Sequence, residues 1–419
     1  KYLKVLKVEL TPELLKLVTK PRAEPTDELK YTLDSAARGQ LLDHPDLSDH
    51  HRQVIDLIDQ GGMSSVSKFT SMINRADPET DRVHGAFIFA GAGQTQRYSS
   101  KGLQMHNMKR DCFSAAEAEK VIAAMRAGLG LDDLINTLGK LLRPAIIPAA
   151  GHKFVVGDWS AIEARVLPWL SDSDGGREVL DVFIRDEDIY VTTAESMGLQ
   201  DRQIGKVANL SLGFGGAVGA FQAMAKNYGV ILEDNFVQLV VNKWRKANKW
   251  AVTFWKQLEK ASVAAVRKPE TVFAAGRVCY VFIPQLLGGT LMCVLPNDTV
   301  IQYPYARIVK GGVTAMKASV QPKADSDDEW PRMSLWGGFL AENITQATAA
   351  CLLRELLADM VNDDFPVVGH VHDEVILEVL DSEIEETLLE CQDYMEQSPS
   401  WCLDLPLKAV PEVFERYGK

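Results

Sequence analysis

Two apolar, strand-like runs of the 419-residue chain end in acidic side chains that could bind metal ions. Asp158 closes the run KFVVGDWS (153–160), and Asp373 and Glu374 lie in the predicted β-hairpin FPVVGHVHDEVILEV (365–379). If the two strands are neighbours in one sheet, Asp158 and Asp373 converge at one end of it. Such a pair can hold two Mg²⁺ ions about 3.5–4 Å apart, the arrangement for in-line phosphoryl transfer. Since an Asp at a strand end is also a common turn or helix-cap residue, both interpretations stay open.

The segment DRQIGKVANLSLGFGG (201–216) carries side chains suited to a nucleoside triphosphate. Four-residue spacing places the following residues on one slowly drifting helical face: Arg202, Lys206, Leu210 and Phe214. The two cations would meet the phosphates, and the apolar and aromatic residues would meet the sugar and the base. An ordinary amphipathic helix with its basic residues in water has the same pattern.

Two further segments mix cations with side chains that contact nucleic acids. QTQRYSSKGLQMHNMKR (94–110) combines four cations with amide side chains, which suits backbone and minor-groove contacts to a duplex. KWRKANKW (243–250) places four cations among two tryptophans, which suits a single strand. The first segment is equally well explained as a polar loop, and the second as a helix with Trp244 buried and its lysines solvated.

Hydrophobic periodicity predicts the elements that must position these side chains. Helices are expected over 49–59, from Ser67 and Lys68 onward, over 189–255 with breaks at the glycines of 213–219, and over 336–360. Strands are expected at 84–91, 153–160, 271–281 and 299–303, and in the hairpin 365–379 with its turn near Gly369 and Asp373. A polar break is expected at 19–27, a solvated acidic loop at 324–329, and a solvated acidic helix face without a function at 381–396.

Composition indicates a soluble globular protein and excludes a disordered or collagen-like chain, with 46% hydrophobic and 24% charged residues. At roughly 100–200 residues per domain, two to four domains are expected. No apolar run approaches the roughly 20 residues of a membrane span, and no leader peptide is recognisable. Because the chain begins at Lys1, we expect it to be the remainder of a longer protein.

Charge and cysteine content set further limits. The six cysteines form no CxxC pair, which argues against zinc and suits a reducing cytosol. A net charge of -12 taken alone argues against a nucleic-acid binder, because non-specific affinity comes mostly from Lys and Arg on phosphates. Net charge is an average, however, and a divalent-metal enzyme needs carboxylates as well.

Taken together, the order and spacing of these segments resemble the family A DNA polymerases, the bacterial DNA polymerase I family. DWSAIEAR (158–165) closely resembles motif A, and VHDEV (371–375) matches motif C. Arg202 and Lys206, followed eight residues later by Phe214 and Gly215, look like motif B.

Two weaker similarities support the same family. Arg97, Ser99, Ser100 and Asn107 resemble its TGR-SS-QN segment upstream of motif A, and WGGFLAENITQATAA (336–350), with Gln346, is similar to the helix before motif C. The resemblance spans residues 50–419. The compact layout and the closing ERYGK look most like the phage branch.

The resemblance implies an α+β fold, a right-hand polymerase with an antiparallel-sheet palm, helical fingers and a short helical thumb. It divides the chain into a partial thumb at 1–90, a first palm segment with motif A at 91–187, fingers with motif B at 188–330, and a second palm segment with motif C at 331–419. Such an enzyme adds dNTPs to a primer 3′ end on a template, by two-metal-ion phosphoryl transfer with release of pyrophosphate.

The resemblance also implies roles for individual residues. Asp158, Asp373 and the carbonyl of Trp159 would bind two Mg²⁺ ions, for which Mn²⁺ can substitute, with Glu374 as a further acid. Arg202 and Lys206 would hold the triphosphate, with Lys206 placed to protonate pyrophosphate. Contacts to the dNTP sugar would come from Leu210 and Phe214, and from Glu163 at the 2′ position. DNA contacts would come from Arg97, Asn107, Gln346 and His372, the last at the primer terminus.

Several positions depart from the family pattern. Leu210 stands where Phe or Tyr is usual and Phe214 where Tyr is common, which predicts looser sugar stacking and altered handling of dideoxynucleotides. Gln96 replaces the usual Gly before Arg97, and His106 replaces Gln, which puts the primer grip in doubt. LPND (295–298) stands where phage relatives often carry Ser-Gly-Arg, which removes one expected cation.

Two alternatives remain at the level of the sequence. A catalytically silent polymerase fold would bind primer-template without extending it, although both metal-binding aspartates are present. A single-subunit RNA polymerase shares the fold, but Glu163 and the dNTP-type motif B argue against it. We expect no 3′–5′ exonuclease in this chain, and low processivity unless an accessory replication protein assists. We expect a monomer in the cytoplasm of a bacterial or phage-infected host cell. Its partners would be primer-template DNA and dNTPs. Reverse transcription stays open.

Overall fold

The computed structural model describes residues 10–19, 33, 35–61, 67–131, 133–317 and 331–418, with the backbone alone at 35–36 and 56–61. The polar break predicted at 19–27 falls almost entirely outside these residues, and the acidic loop predicted at 324–329 falls wholly outside them. The chain separates into two compact units. One comprises 1–84, 102–147 and 416–419, and the other comprises 85–101 and 148–415.

The regular secondary structure described in the first unit is helical apart from isolated β-bridges such as the one between Ala76 and Val83. Its helices are α1 (Pro12–Leu17), α2 (Ser35–Leu42), α3 (Asp49–Gly61), α4 (Ser67–Arg75), α5 (Ala115–Arg126) and α6 (Leu134–Leu141). The expected helices at 49–59 and from Ser67 are confirmed. Pro12 follows the capping hydroxyl of Thr11, and Ser114 with Glu117 forms a capping box at the start of α5.

The second unit combines helices with antiparallel strands. Its strands are β1 (Phe87–Ile88), β2 (Ser99–Ser100), β3 (His152–Asp158), β4 (Phe273–Ala275), β5 (Val278–Ile283), β6 (Thr290–Val294), β7 (Val300–Tyr303), β8 (Arg307–Val309), β9 (Gly312–Met316), β10 (Arg332–Ser334), β11 (Val367–Val371), β12 (Glu374–Leu380) and β13 (Glu412–Phe414). Its helices are α7 (Ile162–Ser171), α8 (Asp174–Ile184), α9 (Ile189–Ser196), α10 (Arg202–Leu212), α11 (Val218–Asn227), α12 (Asp234–Ala247), α13 (Lys249–Arg267), α14 (Gly337–Asn362) and α15 (Ile384–Glu396).

The described strands form four sheets whose pairs are all antiparallel, so the α+β fold class is confirmed. Their orders are β1-β2, β10-β9-β8, β4-β5-β6-β7 and β11-β12-β3-β13. The last sheet brings the two acidic motifs together, because β3 pairs with β12 along its whole length, from Asp158 opposite Glu374 to His152 opposite Leu380.

Burial explains why β3 is central. Phe154, Val155 and Val156 are all at least 95% buried, as a strand covered on both faces requires. Gly157 lets helix α15 approach the sheet closely, since a Cβ there would lie 2.4 Å from the sulfur of Met395 and 3.0 Å from that of Cys391. The strand immediately before Asp158 is therefore held between the sheet and α15.

The predicted hairpin at 365–379 exists, but half of its predicted turn is wrong. The turn consists of His372 and Asp373, and His372 has a left-handed φ of 57°. Gly369 lies inside β11, where the register with β12 shifts between Val367 and Gly369. An isolated Gly in a strand pattern marks a bulge as readily as a turn, and here it marks the bulge.

The helical region 189–255 and the long helix at 336–360 are confirmed by α9–α13 and α14. The expectation that Phe214 shares a helix with Arg202 is wrong, because α10 ends at Leu212. Gly215, with φ of 78°, and Gly216 follow the helix, and glycine commonly terminates helices in this conformation. Within the described residues, no helix is long and apolar enough to cross a membrane.

Candidate active site

Three acidic residues meet at one end of the sheet β11-β12-β3-β13, which we call the central sheet. Asp158 and Glu374 are Cα partners in the β3–β12 register, and partners in an antiparallel pair lie about 4.5–5.5 Å apart. Asp373 directly precedes Glu374, and its carbonyl oxygen accepts a hydrogen bond from the Trp159 N–H at 3.3 Å. The convergence expected of Asp158 and Asp373 is thus present in the backbone pairing.

The chain just after Asp158 is fixed on both sides. The Val410 N–H donates to the Asp158 carbonyl at 3.3 Å, and the Ser160 N–H donates to the Lys408 carbonyl at 2.8 Å. The indole of Trp159 is buried and donates from Nε1 to the Met395 carbonyl at 2.7 Å. The sequence did not indicate that residues 408–410 lie beside Asp158, because this pairing is a tertiary contact between distant segments.

The donor set at this end suits a hard divalent cation. Carboxylates of Asp158 and Asp373 with a backbone carbonyl from Trp159 offer oxygen ligands, and Mg²⁺ is usually bound by one or two carboxylates plus water and substrate phosphates. No group of three or more His, Cys, Asp and Glu side chains that could hold a metal by itself occurs among the described residues. Two carboxylates and one carbonyl would leave the rest of a Mg²⁺ coordination shell to water and phosphate oxygens.

Arg97, Glu163 and Gln346 form a polar cluster in the second unit. The Arg97 Nη1 atom lies 3.9 Å from Glu163 Oε1, and the Gln346 side chain lies close to the same carboxylate. Burial raises the pKa of Glu163 above its ordinary value, although Arg97 and Gln346 oppose the shift. Burial likewise raises the pKa of Glu342, again opposed by Arg97. The side chains of Arg97 and Glu163 are 33% and 38% exposed, so a ligand can reach both.

The loop that presents Arg97 is anchored by Gln96, the residue that stands in place of the usual Gly. Gln96 has a φ of 49°, in the region that favours glycine. Its side-chain Nε2 donates to the Val300 carbonyl at 2.6 Å, and the Arg97 carbonyl accepts from the Ala92 N–H at 3.1 Å. The Gln side chain therefore ties the loop to β7, a tether that the usual glycine cannot make.

His370 links the same loop to the acidic hairpin. Its ring lies 4.3 Å from Phe87 in β1 and 4.3 Å from Tyr98, the neighbour of Arg97. Burial lowers the pKa of His370 to about 4 and raises the pKa of Tyr98. Sequence reasoning missed this histidine, since nothing in the spacing of residues 87, 98 and 370 indicates that they stack.

The two cations of α10 lie beside residues that sequence reasoning also missed. Arg202 Nε donates to Asp188 Oδ2 at 2.7 Å, and Lys206 Nζ lies 4.6 Å from the ring centroid of Tyr228 and 5.8 Å from that of Tyr190. Burial by itself would raise the pKa of Asp188. Hydrogen bonds from Arg202 and two backbone N–H groups outweigh it and hold this pKa below its ordinary value. Arg202 stays half exposed, with 51% of its side chain accessible.

The predicted sugar-contacting residues line one small cavity. It has a volume of about 60 Å³, and Glu163, Leu210 and Phe214 all border it, with Trp244 and Trp250 from α12 and α13. Phe214 thus lies past the helix end yet beside Leu210. Trp244 is buried and stacks on Trp255, which confirms the structural interpretation of this tryptophan in the basic segment 243–250.

Two remaining predicted residues occupy different parts of the chain. His372 forms the hairpin turn beside Asp373. Asn107 is exposed and ends a short 3₁₀ turn, Met105–Asn107, in the first unit. The neighbouring His106 is buried.

The fold is that of a polymerase domain. The chain matches the POL domain of Pol1 from M. smegmatis, solved in complex with DNA primer-template and dNTP, with a TM-score of 0.58 and 16% identity over 99% of this chain and 60% of that one. It is also 30% identical, over 98% of its length, to a DNA polymerase of Bacillus phage SP02. The chain spans 65% of that relative's length. No protein-family model matches it.

The chain therefore has the fold of a polymerase domain and is similar in sequence, over nearly its whole length, to a phage DNA polymerase. Its relative from Bacillus phage SP02 agrees with the expected phage branch.

Proposed function

We propose that the chain catalyses template-directed addition of dNTPs to a primer 3′ end, with release of pyrophosphate. The observation that carries the proposal is the meeting of Asp158, Asp373 and Glu374 at one end of the central sheet. The similar POL domain from M. smegmatis was solved with primer-template and dNTP, and the similar phage protein is a DNA polymerase, which supports the same substrates here.

The acidic sheet end would hold two Mg²⁺ ions, with Mn²⁺ as a substitute. Asp158 and Asp373 would each contribute a carboxylate, and Trp159 its carbonyl oxygen. Bound there, the ions would lower the pKa of the primer 3′-hydroxyl and neutralise charge on the leaving pyrophosphate. Glu374 is only 3% exposed and lies opposite Asp158, so its proposed role is to position the metal ligands.

Helix α10 would bind the triphosphate. Arg202 would exchange part of its contact with Asp188 for phosphate oxygens, since the pair is exposed and only weakly stabilising. Lys206, one turn further, would donate a proton to the leaving pyrophosphate. Glu163, Leu210 and Phe214 would border the sugar, with Glu163 crowding a 2′-hydroxyl.

The remaining polar residues would hold primer-template. Arg97 and Gln346 would contact the minor groove, where A·T and G·C pairs present similar acceptors, so the contacts would test pair shape rather than sequence. His372 would support the primer terminus, and Asn107 would add a contact from the first unit. We further propose thumb, palm and fingers at the boundaries given above, a monomer, and a location in the host cytoplasm with replication accessory proteins.

Primer extension tests the proposal. A labelled primer on a DNA template, four dNTPs and Mg²⁺ should give full-length product, and four rNTPs in place of dNTPs should give almost none. Binding of primer-template without extension in Mg²⁺ or Mn²⁺ would contradict the proposal, and equal use of rNTPs would favour an RNA polymerase.

A further inference from the structure

A basic groove lies on the outward face of α13, apart from the polymerase site. Its volume is about 670 Å³, and it is bordered by the turn at Gly311 between β8 and β9 and by Phe273 of β4. Four exposed cations line the groove: Lys256, Lys260, Arg267 and Lys268. We call this feature the α13 groove.

The charge of the α13 groove contrasts with that of the whole chain. In a protein of net charge -12, its lining carries four cations and one carboxylate, Glu259. Among the described residues, none of the four cations makes an ion pair, whereas Arg177 and Arg185 each pair with nearby acids. The groove is therefore a local concentration of uncompensated positive charge, which attracts polyanions.

The spacing of the cations suits a strand of phosphates. From Lys256 to Lys268 the groove follows the helix for twelve residues, about 18 Å at 1.5 Å per residue. At roughly 3.4 Å per nucleotide, that length accommodates about five nucleotides. The half-buried Phe273 and Val263 give the groove an apolar wall, and an aromatic ring beside cations is the combination that grips single strands.

Helix α13 is joined to the triphosphate-binding helix. Trp255, one residue before the groove begins, donates from Nε1 to the carbonyl of Gly213, directly after α10. Trp250, at the start of α13, borders the cavity with Leu210 and Phe214. The helix that carries the groove therefore also borders the proposed nucleotide site.

We propose that the α13 groove binds the phosphate backbone of a single DNA strand that is continuous with the DNA in the active site. The strand is either the template ahead of the insertion point or the non-template strand displaced during synthesis. This inference rests on the proposed polymerase function, because the groove has a strand to bind only if the domain holds primer-template. An acidic protein segment fits the charge but gains less from Phe273, so DNA is the favoured ligand.

The test compares K256Q/K260Q/R267Q/K268Q with a control of equal charge loss, K120Q/R126Q/R177Q/R185Q, whose cations are exposed on α5, on α8 and directly after α8. Three fluorescent DNAs are titrated across a salt series. One has a single-nucleotide template overhang, one a 15-nucleotide template overhang, and one a downstream duplex with a 15-nucleotide flap of non-template strand.

The expected result is an affinity loss of about tenfold for one long-strand substrate, with the single-nucleotide overhang unchanged. The slope of log K against log salt should also decrease by about 0.7 for each lost phosphate contact. Loss on the template overhang identifies the template, and loss on the flap identifies the displaced strand. Unchanged affinity and slope for both substrates, or losses equal to those of the control variant, would overturn the inference.

Two further measurements distinguish failure of the groove hypothesis from failure of the proposed polymerase function and from misfolding of a variant. Wild-type extension on the single-nucleotide overhang reports the proposed polymerase function by itself, and circular dichroism reports folding of each variant. If the groove variant binds polyglutamate more weakly than wild type yet keeps full affinity for both long-strand DNAs, the groove is an acidic-protein site and the DNA inference is wrong.

Discussion

Asp158 and Glu374 lie directly opposite each other in the antiparallel register of β3 and β12, one residue from Asp373. Two segments more than 200 residues apart in the sequence thus place three acids at one sheet end. Antiparallel pairing sets this arrangement, because a slip of one residue would turn the side chains to the other face. The buried register, not any local motif, therefore fixes the relative positions of the acids.

Glu374 should act through its neighbours rather than through substrate. We expect E374Q to keep primer-template affinity, to lower kcat about ten- to hundredfold, and to raise the Mg²⁺ concentration needed for half-maximal rate, as removal of a group that orients metal ligands does. Steady-state kinetics across a Mg²⁺ series checks this. The matched variant E378Q, four residues along the same strand, should leave the Mg²⁺ dependence unchanged; an equal shift in both variants would contradict the assignment.

Glu163 should determine sugar selection. We expect E163A to raise the efficiency of rNTP relative to dNTP incorporation about 10- to 100-fold, because it removes the side chain that borders the cavity beside Leu210 and Phe214. Single-nucleotide kcat/KM values for paired rNTP and dNTP measure the effect. The control E342A removes the other carboxylate near Arg97 and should keep the selectivity of wild type. Equal loss of selectivity in both variants would assign the effect to Arg97.

The pairing of Arg202 with Asp188 should weaken dNTP binding. We expect D188N to lower the KM for dNTP up to about fivefold at unchanged kcat, since an exposed ion pair is worth at most about 1 kcal/mol. Asn also caps helices well, so α9 should keep its N-terminus. A higher KM in D188N, with thermal stability unchanged, would instead show that Asp188 positions Arg202 for the phosphates.

His370 should make the stability of the second unit depend on pH. In the folded state the pKa of His370 is lowered to about 4. As the pH falls below 6.5, His370 therefore binds a proton in the unfolded chain but stays neutral in the folded chain. The free energy of unfolding should fall by up to about 3 kcal/mol between pH 7 and pH 4. The contribution of His370 to stability is fully present only above the unfolded pKa of about 6.5.

Denaturant unfolding of H370F checks this expectation. Phe keeps the stack with Phe87 and Tyr98 but cannot take a proton, so the variant should lose less stability than wild type over this range. The control H84Q changes an exposed histidine and should follow wild type. Identical pH profiles for H370F and wild type would contradict the assignment.

Local patterns predicted the parts of the site that depend on neighbouring residues in the chain. The run before Asp158, the helix with Arg202 and Lys206, and the hairpin with Asp373 all follow from periodicity. Phe214 was misplaced on that helix because four-residue spacing continued formally through Gly213, where the backbone ends the helix.

Tertiary contacts explain what the sequence could not predict. The stack of His370 between Phe87 and Tyr98 joins residues from three separate segments. The tether from Gln96 to Val300 spans 204 positions, so the exchange of Gly for Gln gave no indication of a compensating bond. Asp188 and Tyr228 reach the cations of α10 only once the surrounding helices pack.

The most direct test of the central claim is primer extension by D373A, with D381A as control. Asp381 is an exposed acid just beyond the far end of β12, so its loss changes charge equally but leaves the acidic sheet end intact. We expect D373A to bind primer-template normally and to lose extension at least about 10³-fold in Mg²⁺, while D381A extends like wild type. Extension by D373A within tenfold of wild type would contradict the claim that this sheet end is the catalytic centre.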